Sequence, residues 1–353
     1  MRARWIILVL ALLPGIGSVA SAQDAPSKHP RTIAPEEARS GTFERDGQSW
    51  AIRPSTPTSM GDSGLFRLVG SADTLPRRFF SFSAFRDNAS RDPKGTDFAV
   101  HGFTVGYGVS HRLEIFGAVG IENRVKAHYL DEEGGPNEYP FVRSSWDTGF
   151  GDIWLGAKYA LLSDSLGDGV GLALKGFFKI PTADSDKGLG TGEPSFGGDV
   201  LVSKAFDFGD LHGAAGYEFN PSPAPRVVME LRGQADSALA GPGYVADALR
   251  WGVGLNLPAS HGVLLQAELS GRIYGSTTVE QTNTVDLIVG ATFWLKPGLF
   301  VRPAYVYALG YDGRGREVSA GRRSGFNIAF GFHGGTPCCE IRVPPLPSPA
   351  PSR

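Results

Sequence analysis

Apolar and polar positions alternate over most of this chain. From Arg78 to His333 one pattern repeats, in which about ten residues of alternation are followed by a turn. In residues 102–109, for example, large apolar side chains at every second position alternate with glycine and threonine. Successive side chains of a strand point to opposite faces, so each stretch predicts a β-strand with one apolar face. About twelve strands are predicted, at 78–86, 97–109, 113–124, 149–161, 169–180, 196–207, 211–220, 247–257, 263–274, 284–295, 299–311 and 325–333.

The connections between these strands alternate in length, which favours a membrane barrel over a soluble β-sandwich. Outer-membrane barrels pair short periplasmic turns with long extracellular loops. The sequence therefore predicts an all-β fold, a closed antiparallel transmembrane β-barrel of about 12 strands over residues 78–333, located in the cell outer membrane. The tight links lie near 110–112, 208–210, 259–261 and 296–298, and the long links at 125–148, 181–195, 221–246 and 312–324.

The last predicted strand is aromatic on one face. Phe326, Ile328, Phe330 and Phe332 alternate with small or polar residues. This arrangement resembles the aromatic-ending final strand by which outer-membrane proteins are recognised for assembly. We predict that these four residues are the assembly signal read by the barrel-assembly machinery. The alternative is an ordinary edge strand of a soluble sheet, but soluble proteins avoid long hydrophobic edges.

Residues 1–22 have the features of a cleaved signal peptide. Arg2 and Arg4 precede an apolar stretch, Trp5–Leu13, and Ala20–Ala22 forms an A-x-A cleavage site. We therefore expect export from the cytoplasm. After Gln23 no run of about 18 or more apolar residues occurs, so a membrane would have to be crossed by strands closed on themselves.

Two segments flank the predicted barrel. Residues 23–77 are polar and Pro-rich, with one predicted strand at Leu65–Val69, and three roles stay open for them: a periplasmic extension, a partial plug or an extra edge segment. Residues 334–353 form a Pro-rich C-terminal tail that we expect to be stiff and extended. Within it, Cys338 and Cys339 are adjacent. A vicinal disulfide is strained, so pairing with another chain and the reduced state both stay open.

Composition and charge limit the class of protein. The 353 residues are 20% charged and 11% aromatic, with 48 Gly and 25 Pro. This is too aromatic for a disordered chain and too rich in Gly and Pro for a helical one. The formal net charge is -2, and no basic run is interleaved with aromatic residues, so we expect no nucleic-acid partner.

Four segments in the middle third of the predicted barrel resemble a known family. They are 151–159 (GDIWLGAKY), 179–182 (KIPT), 188–192 (GLGTG) and 211–217, which contains Leu-His-Gly and Gly-Tyr. The chain resembles the outer-membrane barrels linked to the meta-pathway of phenol degradation, which are loosely called transporters. It departs from them at Ala183, where a glycine usually follows Pro-Thr. Similar barrels also precede OmpA-type peptidoglycan-binding domains, joined by Pro-rich linkers, and residues 334–353 resemble such a linker without holding that domain.

Nine charged residues fall on the inward register and are predicted to line the pore. Charged side chains are costly in lipid, so they indicate a polar interior. Two interpretations stay open: a pore whose mixed charges set its selectivity, or a network of ion pairs that fills a narrow barrel and conducts little. The predicted pore-lining residues are Glu114, Lys158, Lys175, Lys179, Glu218, Glu268, Arg272, Asp286 and Arg302.

No motif indicates an enzyme, a cofactor or a metal site. Gly188–Gly192 lacks the Lys-Ser/Thr of a phosphate-binding loop, and Asp131–Glu133 lacks the regular ligand spacing of a calcium loop. We expect a passive channel or transporter for small molecules, hydrophobic ones among them, surrounded by outer-membrane lipid and lipopolysaccharide. The alternative is a structural envelope barrel or anchor, similar to OmpA, without significant transport.

Overall fold

The computed structural model describes residues 42–45, 48–51, 55–91, 96–126, 139–143, 145–166, 168–206, 208–221, 226–229, 238–241, 245–260, 262–275, 283–296, 298–309 and 324–334. Twelve long strands follow one another around one antiparallel sheet. They are β1 (Phe80–Arg91), β2 (Thr96–Gly108), β3 (Leu113–Lys126), β4 (Ile153–Leu162), β5 (Gly171–Ile180), β6 (Ser195–Ala205), β7 (Asp210–Phe219), β8 (Ala248–Ser260), β9 (Val263–Tyr274), β10 (Thr284–Lys296), β11 (Leu299–Ala308) and β12 (Ser324–His333).

The sheet closes because the last strand pairs with the first. β12 runs antiparallel to β1, from the pair of Phe326 and Asn88 to the pair of His333 and Ser81. Each barrel strand therefore has a neighbour on both sides, which pairs its backbone amides where lipid offers no hydrogen bonds. The closed antiparallel β-barrel of twelve strands is confirmed.

The two ends of the barrel differ in their connections. We name as the loop end the one that holds the connections 127–152, 181–194, 220–247, 275–283 and 309–323, together with one short link at 92–95. The opposite, turn end is where β1 begins and β12 ends. A short strand, Asp147–Gly149, pairs with β3 at the loop end. Short 3-10 helices are found at Asp164–Leu166 and Ser185–Lys187. Two further hairpins, Thr42–Arg45 with Gln48–Ala51 and Arg226–Met229 with Ala238–Gly241, stand apart from the barrel sheet.

The outer wall is apolar, as the alternation predicted. Large apolar side chains on the outward register are exposed, which is the arrangement of a barrel whose wall faces lipid. Examples from around the ring are Phe82, Val105, Leu155, Leu174, Val200, Val253, Val289 and Phe330. Phe326 and Ile328 are exposed on the same face of β12, and Phe332 is half-buried. The role of this strand as an assembly signal stays a prediction. Among the described residues no helix is both long and apolar enough to cross a bilayer.

A segment of the chain that precedes the barrel strands passes through the interior of the barrel. Residues 55–76, here called the plug segment, lie inside the barrel and are almost wholly buried. A small hairpin pairs Thr56–Pro57 with Ser63–Gly64. The strand predicted at Leu65–Val69 is wrong: this stretch forms bends, because its apolar side chains pack on the barrel wall instead of alternating across a sheet.

One predicted boundary of the barrel also differs. β1 continues to Arg91 rather than ending at residue 86, because Asp87 and Ala89 keep the inward register and are buried against the barrel interior. The polar sequence there has the composition of a loop, although it forms the end of a strand. Residues 1–22 and the tail after residue 334 lie outside the described residues, so the boundaries of the signal peptide and the tail stay predictions.

The seam between β1 and β12 sets a steric test. A β-carbon on Gly331 would stand 2.2 Å from the carbonyl oxygen of Phe82 on β1. We expect Gly331→Val to lower the free energy of unfolding by about 1–3 kcal/mol, measured by denaturant titration of the detergent-folded protein with heat-modifiable migration as the readout. The control is Gly176→Val, where a β-carbon meets no atom within 4 Å. Equal stability of the two variants would contradict a tightly packed seam.

Candidate functional site

The plug segment is bound to the wall through its own backbone amides. The carboxylate of Glu268, on β9, accepts hydrogen bonds from the backbone N–H groups of Phe66 and Arg67, both at 3.0 Å, and of Leu68 at 2.9 Å. The hydroxyl of Ser270 donates to the same carboxylate at 2.7 Å. Three successive N–H groups that face one carboxylate form an anion-binding concavity in the backbone. A wall side chain thus provides the acceptors that a neighbouring strand would otherwise offer.

A second carboxylate binds the plug segment on the other side of the lumen. Glu114, on β3, accepts from the backbone N–H groups of Ser63 at 2.8 Å and Leu75 at 3.0 Å. Lys158 lies 3.2 Å from Glu114 and donates to the carbonyl oxygen of Ser63 at 2.9 Å. The side chains of Lys158 and Glu114 are fully buried. Removing one member of such a pair leaves an unpaired buried charge, which costs about 3–5 kcal/mol.

Two charged residues of the plug segment complete ion pairs with the wall. Asp62 accepts a hydrogen bond from Lys175 at 2.9 Å. Burial by itself would raise the pKa of Asp62, but the ammonium groups of Lys175 and Lys158 hold it below its ordinary value. Arg67 donates to Asp87 at 2.6 Å and to Asp286 at 2.8 Å. Burial would lower the pKa of the Arg67 guanidinium, but these two carboxylates raise it above its ordinary value.

Arg302 contacts the plug segment from β11. Its guanidinium donates to the hydroxyl of Thr56 and to the carbonyl oxygens of Pro57 and Leu65. It also lies over the ring of Phe66, 5.0 Å from the ring centroid. Three acceptors and one aromatic face therefore surround a single buried cation, which compensates for its removal from water.

Apolar packing supplements these polar contacts. Leu65, Phe66 and Val69 form one buried cluster with Ile288 and Val306 of the wall. Wall glycines make room for them: a β-carbon on Gly252 would stand 2.6 Å from a methyl carbon of Val69, and one on Gly254 would stand 2.6 Å from a methyl carbon of Leu65. The small residues that the sequence places on the inward face therefore leave space that the plug segment fills.

A vestibule lies between the plug segment and the loop end. Its volume is about 230 Å³. Met60, Arg67 and Leu68 of the plug segment contribute to its lining, together with side chains of the wall and of the loops. The apolar and aromatic lining residues include Phe85, Phe98, Tyr139, Trp154 and Leu189. A second cavity of about 20 Å³ lies near the turn end, beside Ser71, Asp73 and His333. The two cavities share no lining residue, and residues of the plug segment line each of them.

Charges around the vestibule are paired with one another. Lys179 lies 3.1 Å from Asp152, and Arg250 lies 3.2 Å from Glu218. Arg272 approaches the same Glu218 at 3.5 Å. The vestibule is therefore lined by compensated charge of both signs next to aromatic rings. Within the described residues no cluster of three or more His, Cys, Asp or Glu side chains is placed to hold a metal ion.

The structure places all nine predicted pore-lining residues on the inner side of the wall, in two groups. One group binds the plug segment: Glu114, Lys158, Lys175, Glu268 and Arg302. The other group borders the vestibule: Lys179, Glu218, Arg272 and Asp286. Asp286 belongs to both, since it also binds Arg67. Their role in lining a permeation path stays a prediction.

Sequence reasoning missed the plug-side partners of these residues. Asp62 lies in a stretch of Ser, Gly and Thr that has the composition of a loop, and Arg67 lies in the apolar stretch Leu65–Val69. Asp87 and Asp199 are on the inward register of β1 and β6, so the alternation could have identified both. Nothing in the local sequence could have matched Arg67 to Asp87 and Asp286, because the latter contact spans 219 positions of the chain.

The contacts of Glu268 predict a local effect of its charge. In Glu268→Gln the side chain loses the negative charge that faces three N–H donors, each such charged hydrogen bond being worth about 1.5–3 kcal/mol. We expect the amides of residues 66–68 to exchange hydrogen at least about tenfold faster, measured by hydrogen exchange with mass spectrometry. The control is Glu122→Gln on the outer face of β3. Unchanged exchange at residues 66–68 would contradict a plug segment held by this carboxylate.

The lowered pKa of Asp62 predicts how docking of the plug segment responds to acid. Because its pKa in the docked state lies below the ordinary value of 3.8, its contribution to docking is complete above that value and is lost only at lower pH. We expect exchange protection of residues 60–64, corrected for the intrinsic rate, to stay constant from about pH 7 to 5. Loss of protection in that window in the wild type, but not in Asp62→Asn, would show that Asp62 titrates there.

Comparison with known proteins identifies the family. A family model described as "Putative MetA-pathway of phenol degradation" matches residues 95–323. Comparison with curated protein sequences gives no match. Among solved structures, an outer-membrane channel from Pseudomonas putida F1 is similar with a TM-score of 0.49 and 15% identity, over 74% of this chain and 98% of that one.

Two further structures are similar over comparable lengths. The NanC porin has a TM-score of 0.41 and 12% identity, over 72% of this chain and 98% of its own. The monoaromatic hydrocarbon channel CymD has a TM-score of 0.36 and 9% identity, over 73% of this chain and 87% of its own. Because the family model spans well over half of the sequence, the protein belongs to the outer-membrane barrel family described as "Putative MetA-pathway of phenol degradation".

Proposed function

We propose that this protein is a passive outer-membrane channel for small molecules, hydrophobic ones among them, and that the plug segment holds it in a closed state. The observation that carries the proposal is the vestibule of about 230 Å³, which the plug segment bounds on the side away from the loop end. A barrel that served only as a wall needs no such space. Membership of a family linked to phenol degradation supports a solute of modest size.

The lining of the vestibule suits a solute that is largely apolar and carries a polar group. Ligand sites for drug-sized molecules occupy about 300–1,000 Å³, so this space suits a smaller, single-ring molecule. Phe85, Phe98 and Trp154 offer apolar contact area. The side-chain oxygen of Asn123 is buried and accepts no hydrogen bond from the described residues. It can accept one from a hydroxyl group of a solute, while the paired charges nearby attract neither sign strongly.

Permeation in this proposal requires the plug segment to move. Its attachments include hydrogen bonds and ion pairs to Glu114, Lys175, Glu268 and Arg302. Water can replace such contacts when a lumen opens, so their net cost of breaking is smaller than their number suggests. The apolar cluster around Leu65 and Val69 opposes release and keeps the resting state closed.

The surroundings of the barrel form part of the proposal. Its apolar outer wall places it in membrane lipid, and the outer leaflet of an outer membrane presents lipopolysaccharide. We infer that Phe326, Ile328, Phe330 and Phe332 are read by the barrel-assembly machinery, since they form the aromatic face of the closing strand. No catalytic step is part of the proposed function.

A second candidate is a structural envelope barrel or anchor without significant transport. The observation that favours it is the filled lumen, in which the predicted pore-lining residues Glu114, Lys158 and Glu268 are fully buried against the plug segment. In that case the ion pairs would fix the plug segment permanently, and the vestibule would be a surface recess.

A reversible crosslink separates the two candidates. Val69→Cys with Gly252→Cys would place a disulfide between the plug segment and β8, where a β-carbon on Gly252 would stand 2.6 Å from Val69. Cys338→Ser and Cys339→Ser remove competing thiols. We expect the oxidised protein to be silent in planar bilayers and discrete conductance steps to appear after reduction. The control, Val69→Cys alone in the same background, should conduct under both conditions.

The possible outcomes separate the two functions. Silence of the reduced, heat-modifiable protein across salts and voltages would overturn the channel proposal and favour the structural barrel. Equal conductance of oxidised and reduced protein, with the crosslink verified by mass spectrometry, would keep the channel and overturn the requirement that the plug segment moves.

A further inference from the structure

The outer wall carries a group of charged residues close to the loop end, above the apolar part of the wall. Arg86 on β1, His101 on β2 and Glu122 on β3 lie side by side, because Arg86 pairs with His101 and His101 pairs with Glu122. Arg124 lies on the same face of β3, closer to the loop end, and beyond it Lys126 pairs with Asp97 of β2. We name Arg86, His101, Glu122 and Arg124 the outer-wall patch. Directly opposed side chains on neighbouring strands stand about 4.5–5.5 Å apart, so the patch is continuous.

The outer-wall patch extends down to the height at which neighbouring strands carry apolar side chains. Arg86 pairs with Ile328 of β12, and Asn88, one outward position higher, pairs with Phe326. Both Ile328 and Phe326 are exposed on the outer face. Arg86 therefore stands at the height of apolar side chains and below an aromatic ring. The alternation rule, by which charged residues of this barrel face inward, fails at this position.

Both arginines of the patch lie against aromatic rings. The guanidinium of Arg86 is 5.1 Å from the ring centroid of Phe326, and that of Arg124 is 5.1 Å from the ring centroid of Trp146. Among the described residues no carboxylate pairs with either arginine. Glu122 is engaged by His101, whose Nδ1 lies 3.3 Å from it. The Nε atom of Arg86 is buried and has no hydrogen-bond partner among the described residues.

The free-energy cost of placing a cation on the lipid face explains why each of these arginines needs a partner from outside the protein. A cation on the lipid face costs about 2–4 kcal/mol at the middle of a bilayer and about 0–1 kcal/mol near its surface. Aromatic residues mark the surface level, where lipid head groups lie. Arginine binds phosphate through two parallel hydrogen bonds, and a stacked guanidinium is already oriented for them. A head-group phosphate at this level would complement both arginines.

We propose that the outer-wall patch is a binding site for the phosphate groups of lipopolysaccharide in the outer leaflet. Arg86 and Arg124 bind phosphate oxygens, while the exposed rings of Phe326 and Trp146, which lie against them, contact the acyl chains. The loop end of the barrel faces the leaflet that holds this lipid. The site rests on the membrane placement of the barrel and is independent of permeation through the lumen.

Lipid retention tests the site. Folded protein in detergent is incubated with purified lipopolysaccharide or with the same lipid after removal of its phosphates, and bound lipid is quantified by native mass spectrometry. We expect Arg86→Gln with Arg124→Gln to bind phosphorylated lipid at least tenfold more weakly than the wild type. The matched control is Lys204→Gln with Lys296→Gln, which removes two charges at the turn end and should bind as the wild type does.

Each further outcome decides the proposal. Equal binding of phosphorylated and dephosphorylated lipid by the wild type would overturn it, as would unchanged binding by the arginine variant. Heat-modifiable migration establishes that each variant is folded. Bilayer conductance of the arginine variant should equal that of the wild type, so failure of the lipid site does not bear on the channel.

Discussion

The structure depends on one constraint: a backbone inside a closed barrel must find hydrogen-bond partners on the wall. Strands of the wall pair with one another, so the plug segment cannot join their ladder. Its backbone N–H groups instead donate hydrogen bonds to wall side chains, above all to the carboxylates of Glu268 and Glu114. Buried peptide groups are costly when unpaired. The two carboxylates therefore fix where the plug segment lies, and the position of the plug segment in turn sets the extent of the vestibule.

The charged interior follows from the same constraint. Glu114 is compensated by Lys158, and Arg67 supplies the positive charge between Asp87 and Asp286. Neither the wall nor the plug segment by itself supplies partners for all of its buried charges. Buried ion pairs of this kind contribute little net stability, but their partners must match one by one, so they specify a single arrangement. We regard the lumen as a polar interface between two parts of one chain, with an apolar cluster at Leu65 and Val69 inside it.

The outer wall obeys a different rule because lipid, unlike a folded segment, offers few polar partners. Almost all of its outward residues are apolar. Such residues can contact lipid without any specific polar partner. At Arg86 and Arg124 this rule is broken, and both side chains lie on aromatic rings instead of in ion pairs. Charged side chains on the inner surface are therefore compensated by charged groups of the same chain. On the outer surface, the proposed partners of the two arginines are lipid phosphates.

The sequence by itself determined the barrel, because every strand must alternate between lipid and lumen and that alternation is local. The twelve strands, the closing pair of β1 and β12, the apolar outer wall and the inward placement of Glu114, Lys158 and Glu268 all follow from it. Only the tertiary structure decided what fills the lumen. Leu65–Val69 has the apolar composition of a strand, yet it bends to meet Glu268, about 200 positions away. Contacts over such distances leave no periodic trace in the sequence, since each depends on a single pair of residues brought together by closure.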